Sequence, residues 1–199
     1  MPDADLSLAV PSAFFGAVGT AGQRCTSTRR LYLHRDIAPD FLQRLRKLYG
    51  GIKPGDPLLE STLLGPVHSP AAVKKYSDTI KHLRSIDAEI LTGGKRYNDA
   101  PLDAGYFVQP TIAIPQSANP TSQIWSTETF APILNVGVFD ELEQAIEWNN
   151  AVPQVSLFIY FSCISVDSSK ILRVCQVVFG REISEILENG LVLADRILE

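Results

Sequence analysis

The chain has 199 residues, 45% of them hydrophobic, with 18 Lys and Arg against 22 Asp and Glu and a formal net charge of -4. That is enough apolar side chain to bury one sizeable core, and the charges of both signs are interspersed with no long basic run, which speaks against a nucleic-acid partner. Cys25, Cys163 and Cys175 form no CxxC pair and lie beside no clustered histidines, so neither a zinc site nor a disulfide framework is expected.

Asp3 and Asp5 precede apolar residues at Leu6, Ala9, Val10, Ala13 and Phe14, which predicts a helix despite Pro11, broken by Gly16, Gly19 and Gly22. Arg30–His34 alternates and is β-prone. The next segment, Pro39–Tyr49, sets Phe41, Leu42, Leu45 and Leu48 on one helical face. Pro, Gly and Asp from Pro54 to Pro70 mark a long connection, followed by a helix over Ala71–Ser85 with Val73, Tyr76, Ile80 and Leu83 on its apolar side. Strands are expected at Glu89–Thr92, Tyr106–Ile114 and Pro132–Phe139, and a short helix at Glu141–Asn149. This alternation predicts an α/β fold, an open twisted sheet with flanking helices.

The N-terminus is acidic, without the basic start of a secretory signal or the arginines of a transit peptide, so the expected compartment is the cytoplasm, with a mitochondrial address left open for a longer form. The longest apolar stretch, Val155–Ile164, is about half of the roughly 20 residues that a spanning helix needs, so no membrane association is expected. His34, His68 and His82 have no ligand spacing and read as ordinary polar residues. Arg44, Arg46 and Lys47 read as a solvated helix face.

Cys25 sits in the small-residue loop Gly19-Thr-Ala-Gly-Gln-Arg-Cys-Thr26, where backbone can approach a substrate and the adjacent Arg24 favours the reactive thiolate. From these residues alone a buried, inert thiol remains as good a reading. The stretch from Phe14 to Leu31, however, closely resembles the active-cysteine segment of the antiquitin (aminoadipate semialdehyde) branch of aldehyde dehydrogenases. Gly65-Pro66, Gly93-Gly94, Gly105-Tyr-Phe-Val-Gln-Pro-Thr-Ile112 and Thr127-Glu-Thr-Phe-Ala-Pro-Ile-Leu134 follow in that family's order, over Met1 to Gln154.

The resemblance implies that Cys25 attacks an aldehyde carbon, that the thiohemiacetal yields hydride to NAD, and that water hydrolyses the remaining thioester. It implies that Glu128 accepts hydrogen bonds from the nicotinamide-side ribose, with the Phe130 ring packed nearby. Arg24 beside the nucleophile suits a substrate carboxylate, as in aminoadipate semialdehyde. The alternative for Arg24 is contact with solvent or a structural acid. Small-molecule aldehydes are thus the expected ligands, and the family is homo-oligomeric.

Met1-Pro-Asp-Ala-Asp-Leu6 itself resembles an internal stretch of the family. The chain is therefore expected to be a catalytic-domain fragment without the Gly-rich cofactor turn, the oxyanion asparagine or the general-base glutamate, and inactive alone. A noncatalytic piece that associates with full-length subunits is the alternative. Beyond Gln154 the family pattern stops: codons for Val155-Ser156 can encode an intron donor site, an AGR codon at Arg173 the acceptor, and the shifted frame that follows permits a family-like translation. Residues 1–154 are accordingly expected to be an incomplete catalytic domain, and 155–199 a non-native tail of retained intron and frameshifted exon.

Overall fold

The computed structural model describes residues 1–117, 122–152, 157–167 and 170–179, the last two as backbone only. Helix α1 spans Leu6–Val18. Asp5 caps it, its carboxylate accepting from the Ser7 N–H at 2.9 Å. Pro11 removes one donor from the helix interior, yet the helix continues because Ala9, Val10, Ala13 and Ala17 bury one face against the core. Gly16 does not break it as expected: its carbonyl accepts from the Thr28 N–H at 2.9 Å, which ties the returning chain to the last turn.

Strand β1 (Arg30–His34) and helix α2 (Ala38–Gly50) follow. On α2 the buried side chains are Ala38, Phe41, Leu45 and Tyr49, whereas Leu48 is exposed, against expectation. At 100° per residue the buried stripe centres on Leu45, and Leu48 falls at its edge while Tyr49 meets Phe14 edge-on. Helix α3 (Pro70–Ser85) starts at a Ser69 cap and buries Ala72, Tyr76, Ile80 and Leu83. Val73, expected on that face, is half-buried.

The other strands of the main sheet are β2 (Glu89–Thr92), β3 (Thr111–Ile114) and β4 (Ile133–Phe139), with a single-turn helix α4 (Gln123–Ser126) before β4 and α5 (Leu142–Asn150) after it. Their order is β1-β4-β3-β2; β4 runs parallel to both β1 and β3, and β2 is antiparallel to β3. Strand β3 is shorter than predicted. Pro110 has no N–H to give, and the residues before it are held by separate bonds such as Tyr97 N–H to Phe107 O and Gln109 N–H to Lys95 O. Leu134, Val136, Ile112 and Ala113 fill the centre of this sheet, and Tyr76 joins α3 to β3, its hydroxyl lying 2.8 Å from Thr111 Oγ1 and donating to Gln109 O, just before the strand, at 2.7 Å.

Strands β5 (Leu157–Asp167) and β6 (Lys170–Phe179) pair antiparallel in a separate two-stranded sheet. The seam expected at Gln154 lies outside the described residues, as do residues 180–199. Among the described residues no helix is long and apolar enough to cross a membrane.

Candidate active site

Cys25 follows an unusual piece of backbone. After α1 the chain makes a 3-10 turn, Gly19–Gly22, in which Thr20, Ala21 and Gly22 all take positive φ (56°, 53° and 69°). Left-handed conformations at two non-glycine residues in a row cost energy, so neighbours must hold them. Gln23 does much of that: its amide donates to Thr20 O and Pro66 O, while its Oε1 accepts from the His68 N–H at 2.9 Å and lies 2.9 Å from His68 Nδ1. His68, which the sequence left as an ordinary polar residue, thus fixes the residue two before the cysteine.

Next comes a closed turn: Arg24 N–H donates to Ser27 Oγ and Ser27 N–H donates back to Arg24 O, both at 3.1 Å. Ser27 is buried and Cys25 stands exposed near the tip. Among the described residues the Cys25 N–H donates to no protein group and no histidine or carboxylate hydrogen-bonds its sulfur. Arg24 turns back toward α1, its Nη2 donating to Phe15 O at 3.1 Å and its guanidinium lying 4.8 Å from the Phe15 ring centre. Gly19 makes that possible, since a Cβ there would fall 2.5 Å from Arg24 Nη2.

The second half of the site is the segment between α4 and β4. Phe130 has φ of 52°, again left-handed without being glycine. Thr129 is buried with its hydroxyl 3.3 Å from that of Thr79, and Lys75 donates to Glu128 O, so α3 anchors the segment from outside. The two halves touch directly. A Cβ at Gly22 would come within 2.5 Å of the Ala131 carbonyl, so only glycine lets the cysteine loop close on this segment.

Arg29 completes the join. Its Nη1 lies 2.8 Å from Glu128 Oε1, its guanidinium stacks 4.7 Å from the Phe130 ring centre, and it donates to Arg24 O (3.1 Å) and toward Cys25 O (3.5 Å). All four expected site residues therefore meet at Arg29, Cys25 and Arg24 by their backbone carbonyls and Glu128 and Phe130 by their side chains. Arg24 joins through its carbonyl while its guanidinium faces Phe15. Arg29 lies inside the Phe14–Leu31 stretch, but nothing in the sequence singles it out: an arginine just before a β-prone run reads as solvated.

A small cleft beside this junction is lined by Arg29, Arg30, Ile124, Trp125, Thr127, Glu128 and Asn135. Arg30 donates to Trp125 O, and burial holds its guanidinium below the usual arginine range. Tyr32, stacked on Trp125, has its hydroxyl pushed up to about 12, chiefly by burial. Among the described residues no group of three His, Cys, Asp or Glu side chains is placed to hold a metal ion.

With this geometry in hand, the comparisons with known proteins agree on one family. The aldehyde dehydrogenase family pattern matches residues 1–156. Over 154 residues the chain is 46% identical to aldehyde dehydrogenase family 7 member A1 of Pisum sativum, covering 77% of this chain and 29% of that one. It is 43% identical over 152 residues to the α-aminoadipic semialdehyde dehydrogenase of Bos taurus, covering 76% and 27%. A solved structure of betaine aldehyde dehydrogenase from Staphylococcus aureus in complex with NAD+ superposes with a TM-score of 0.73 at 30% identity, over 78% of this chain and 30% of that one. The chain spans under a third of the length of these relatives.

Proposed function

As the chain belongs to the aldehyde dehydrogenase family, we propose that it carries the nucleophile half of an NAD-dependent oxidation of an aldehyde to a carboxylate, with Cys25 as the nucleophile. The observation behind this reading is the junction itself: an exposed cysteine on a fixed turn, joined through Arg29 to the Glu128–Phe130 segment.

The Cys25 sulfur, its proton passing to solvent, bonds to the aldehyde carbon, the carbonyl π electron pair moves to oxygen, and the N–H of Cys25, which donates to no group among the described residues, is the donor suited to that oxyanion. The residues fit one end of the cofactor: Glu128 is one-third exposed and ionised carboxylates only accept, which matches ribose hydroxyls, while Phe130 offers a ring face alongside. NAD, when bound, supplies the acceptor for the hydride. Cys25 then holds the acyl group as a thioester until water releases it. In this reading Arg24 binds a carboxylate at the far end of a semialdehyde substrate; the α-aminoadipic semialdehyde dehydrogenase named above, at 43% identity, supports that substrate class. Because no base contacts the Cys25 sulfur among the described residues, the chain by itself is expected to add aldehyde without turning over.

Alkylation of the Cys25 peptide, followed by mass spectrometry, tests this. An aldehyde should protect Cys25 saturably, and a semialdehyde with a distal carboxylate should protect at lower concentration. Arg24→Ala should erase that preference, worth about 1.5–3 kcal/mol or roughly tenfold to over a hundredfold. Absence of protection by any aldehyde would sink the nucleophile assignment; steady NADH production abolished by Cys25→Ala would overturn the inactivity of the isolated chain.

A further inference from the structure

We infer that Arg29 is a positioning residue that couples the nucleophile turn to the Glu128–Phe130 segment, so that a change on either side is felt on the other. Only 11% of its side chain is exposed. A guanidinium buried to that degree is costly unless its partners compensate, and pairs of this kind rarely add net stability compared with apolar packing. The partners of its guanidinium are informative among the described residues: a carboxylate and a ring from one segment and two carbonyls from the other, while its backbone carbonyl accepts from the Asn135 N–H on β4 at 2.9 Å. Among the described residues its Nε is buried with no partner, a further cost that packing alone does not explain.

The residues it joins are the strained ones. On one side, the turn that Arg29 holds by its carbonyls continues directly from the left-handed Thr20-Ala21-Gly22. On the other, the ring beneath the guanidinium belongs to Phe130, itself left-handed. Neither segment has regular secondary structure to hold its shape, so the planar fork of one arginine supplies a fixed distance between them. Glu128, held by Oε1, is oriented at the same time. This inference rests on the proposed roles of Cys25 and Glu128 for its importance, but its test needs neither substrate nor cofactor, so the two can fail separately.

Backbone amide exchange on the full 199-residue chain reads the coupling, with the Arg24 and Ser27 amides reporting on the turn and the Thr127 and Ile133 amides on the other segment. Arg29→Ala should accelerate exchange by about tenfold or more in both groups while α3 amides stay within about twofold. Glu128→Gln, a milder change that keeps the shape, should also accelerate exchange at Arg24 and Ser27, across the junction. Arg29→Lys keeps the charge beside Glu128 but not the fork, so it should restore protection at Thr127 and Ile133 and leave Arg24 and Ser27 fast. Effects confined to the mutated side, or a uniform rise that includes α3, would overturn the inference. If Arg29→Ala does not fold, the Glu128→Gln and Arg29→Lys results decide it.

Discussion

The four-stranded sheet and the β5–β6 ribbon satisfy their backbones in opposite ways. In the sheet, strands of 4 to 7 residues pair across long stretches of chain, Arg30 with Asn135 and Ile112 with Leu134, and helices must cover them. Such pairing requires matched apolar faces on elements far apart in sequence, and loop closure opposes it until those faces meet. The ribbon joins two strands of 11 and 10 residues that are neighbours in sequence. Local pairing of that kind is open to any β-prone stretch, selected or not. The contrast supports our proposal that residues 155–199 are retained intron and frameshifted exon, attached to a domain fragment ending near Gln154. Sequencing the transcript across the codons of Gln154 and Val174 tests it; a gene with no removable intron there would refute it.

If stability resides in the sheet region, the largest effect should come from its centre. Leu134 is fully buried on β4, and Leu134→Ala should cost about 2–5 kcal/mol in urea unfolding, by lost transfer and a residual cavity. A loss under about 1 kcal/mol would place the core elsewhere.

A smaller effect separates the regions by pH. Burial pushes the hydroxyls of Tyr32 and Tyr76 up to about 12 and that of Tyr49 higher still. Each is neutral in both states below the unfolded value of 10.0, so its contribution is fully present there and is lost as pH rises from about 10 through about 12. Stability should therefore fall over that window, equally with or without residues 155–199. Tyr49 Oη is buried without a partner among the described residues, so Tyr49→Phe should leave the neutral-pH stability unchanged or raise it by up to about 1 kcal/mol, and should blunt the alkaline loss. A destabilised Tyr49→Phe would mean that the hydroxyl has a partner, such as a bound water.

The smallest effect should come from removing residues 155–199, which is expected to change the stability of the sheet region by less than about 1 kcal/mol. In the whole chain, trypsin should cut after Lys170, Arg173 or Arg181 before it cuts at Arg24, Arg29 or Arg30. A tail that resists protease, or whose deletion unfolds the sheet, would make the two regions one cooperative unit.

How much of this was legible beforehand varies with how local the cause is. The bounds of β1 and β2 follow from alternation and from the turns beside them, and α3 follows from its apolar spacing, though its start at Pro70, after the Ser69 cap, falls one residue before the expected Ala71. Strand β3 was overextended because Tyr106–Gln109 has strand-like composition but different hydrogen-bond partners. Helix α4 was missed because one turn carries no periodicity. Family membership could be read from the ordered motifs, and the roles proposed for Cys25, Glu128 and Phe130 come from the same motifs.

What the sequence determined by itself, then, is whatever neighbours along the chain decide: helix and strand identity, the small-residue loop around Cys25, and the motif order that marks the family. Only the tertiary structure decided that Arg29 reaches Glu128 ninety-nine positions away, that His68 holds Gln23, that Gly22 lies against Ala131, and that Arg24 leans on Phe15. The reason is physical. A buried guanidinium, a left-handed turn or a missing Cβ is tolerated only because of atoms brought in from elsewhere in the chain, and those partners exist only after the sheet has closed.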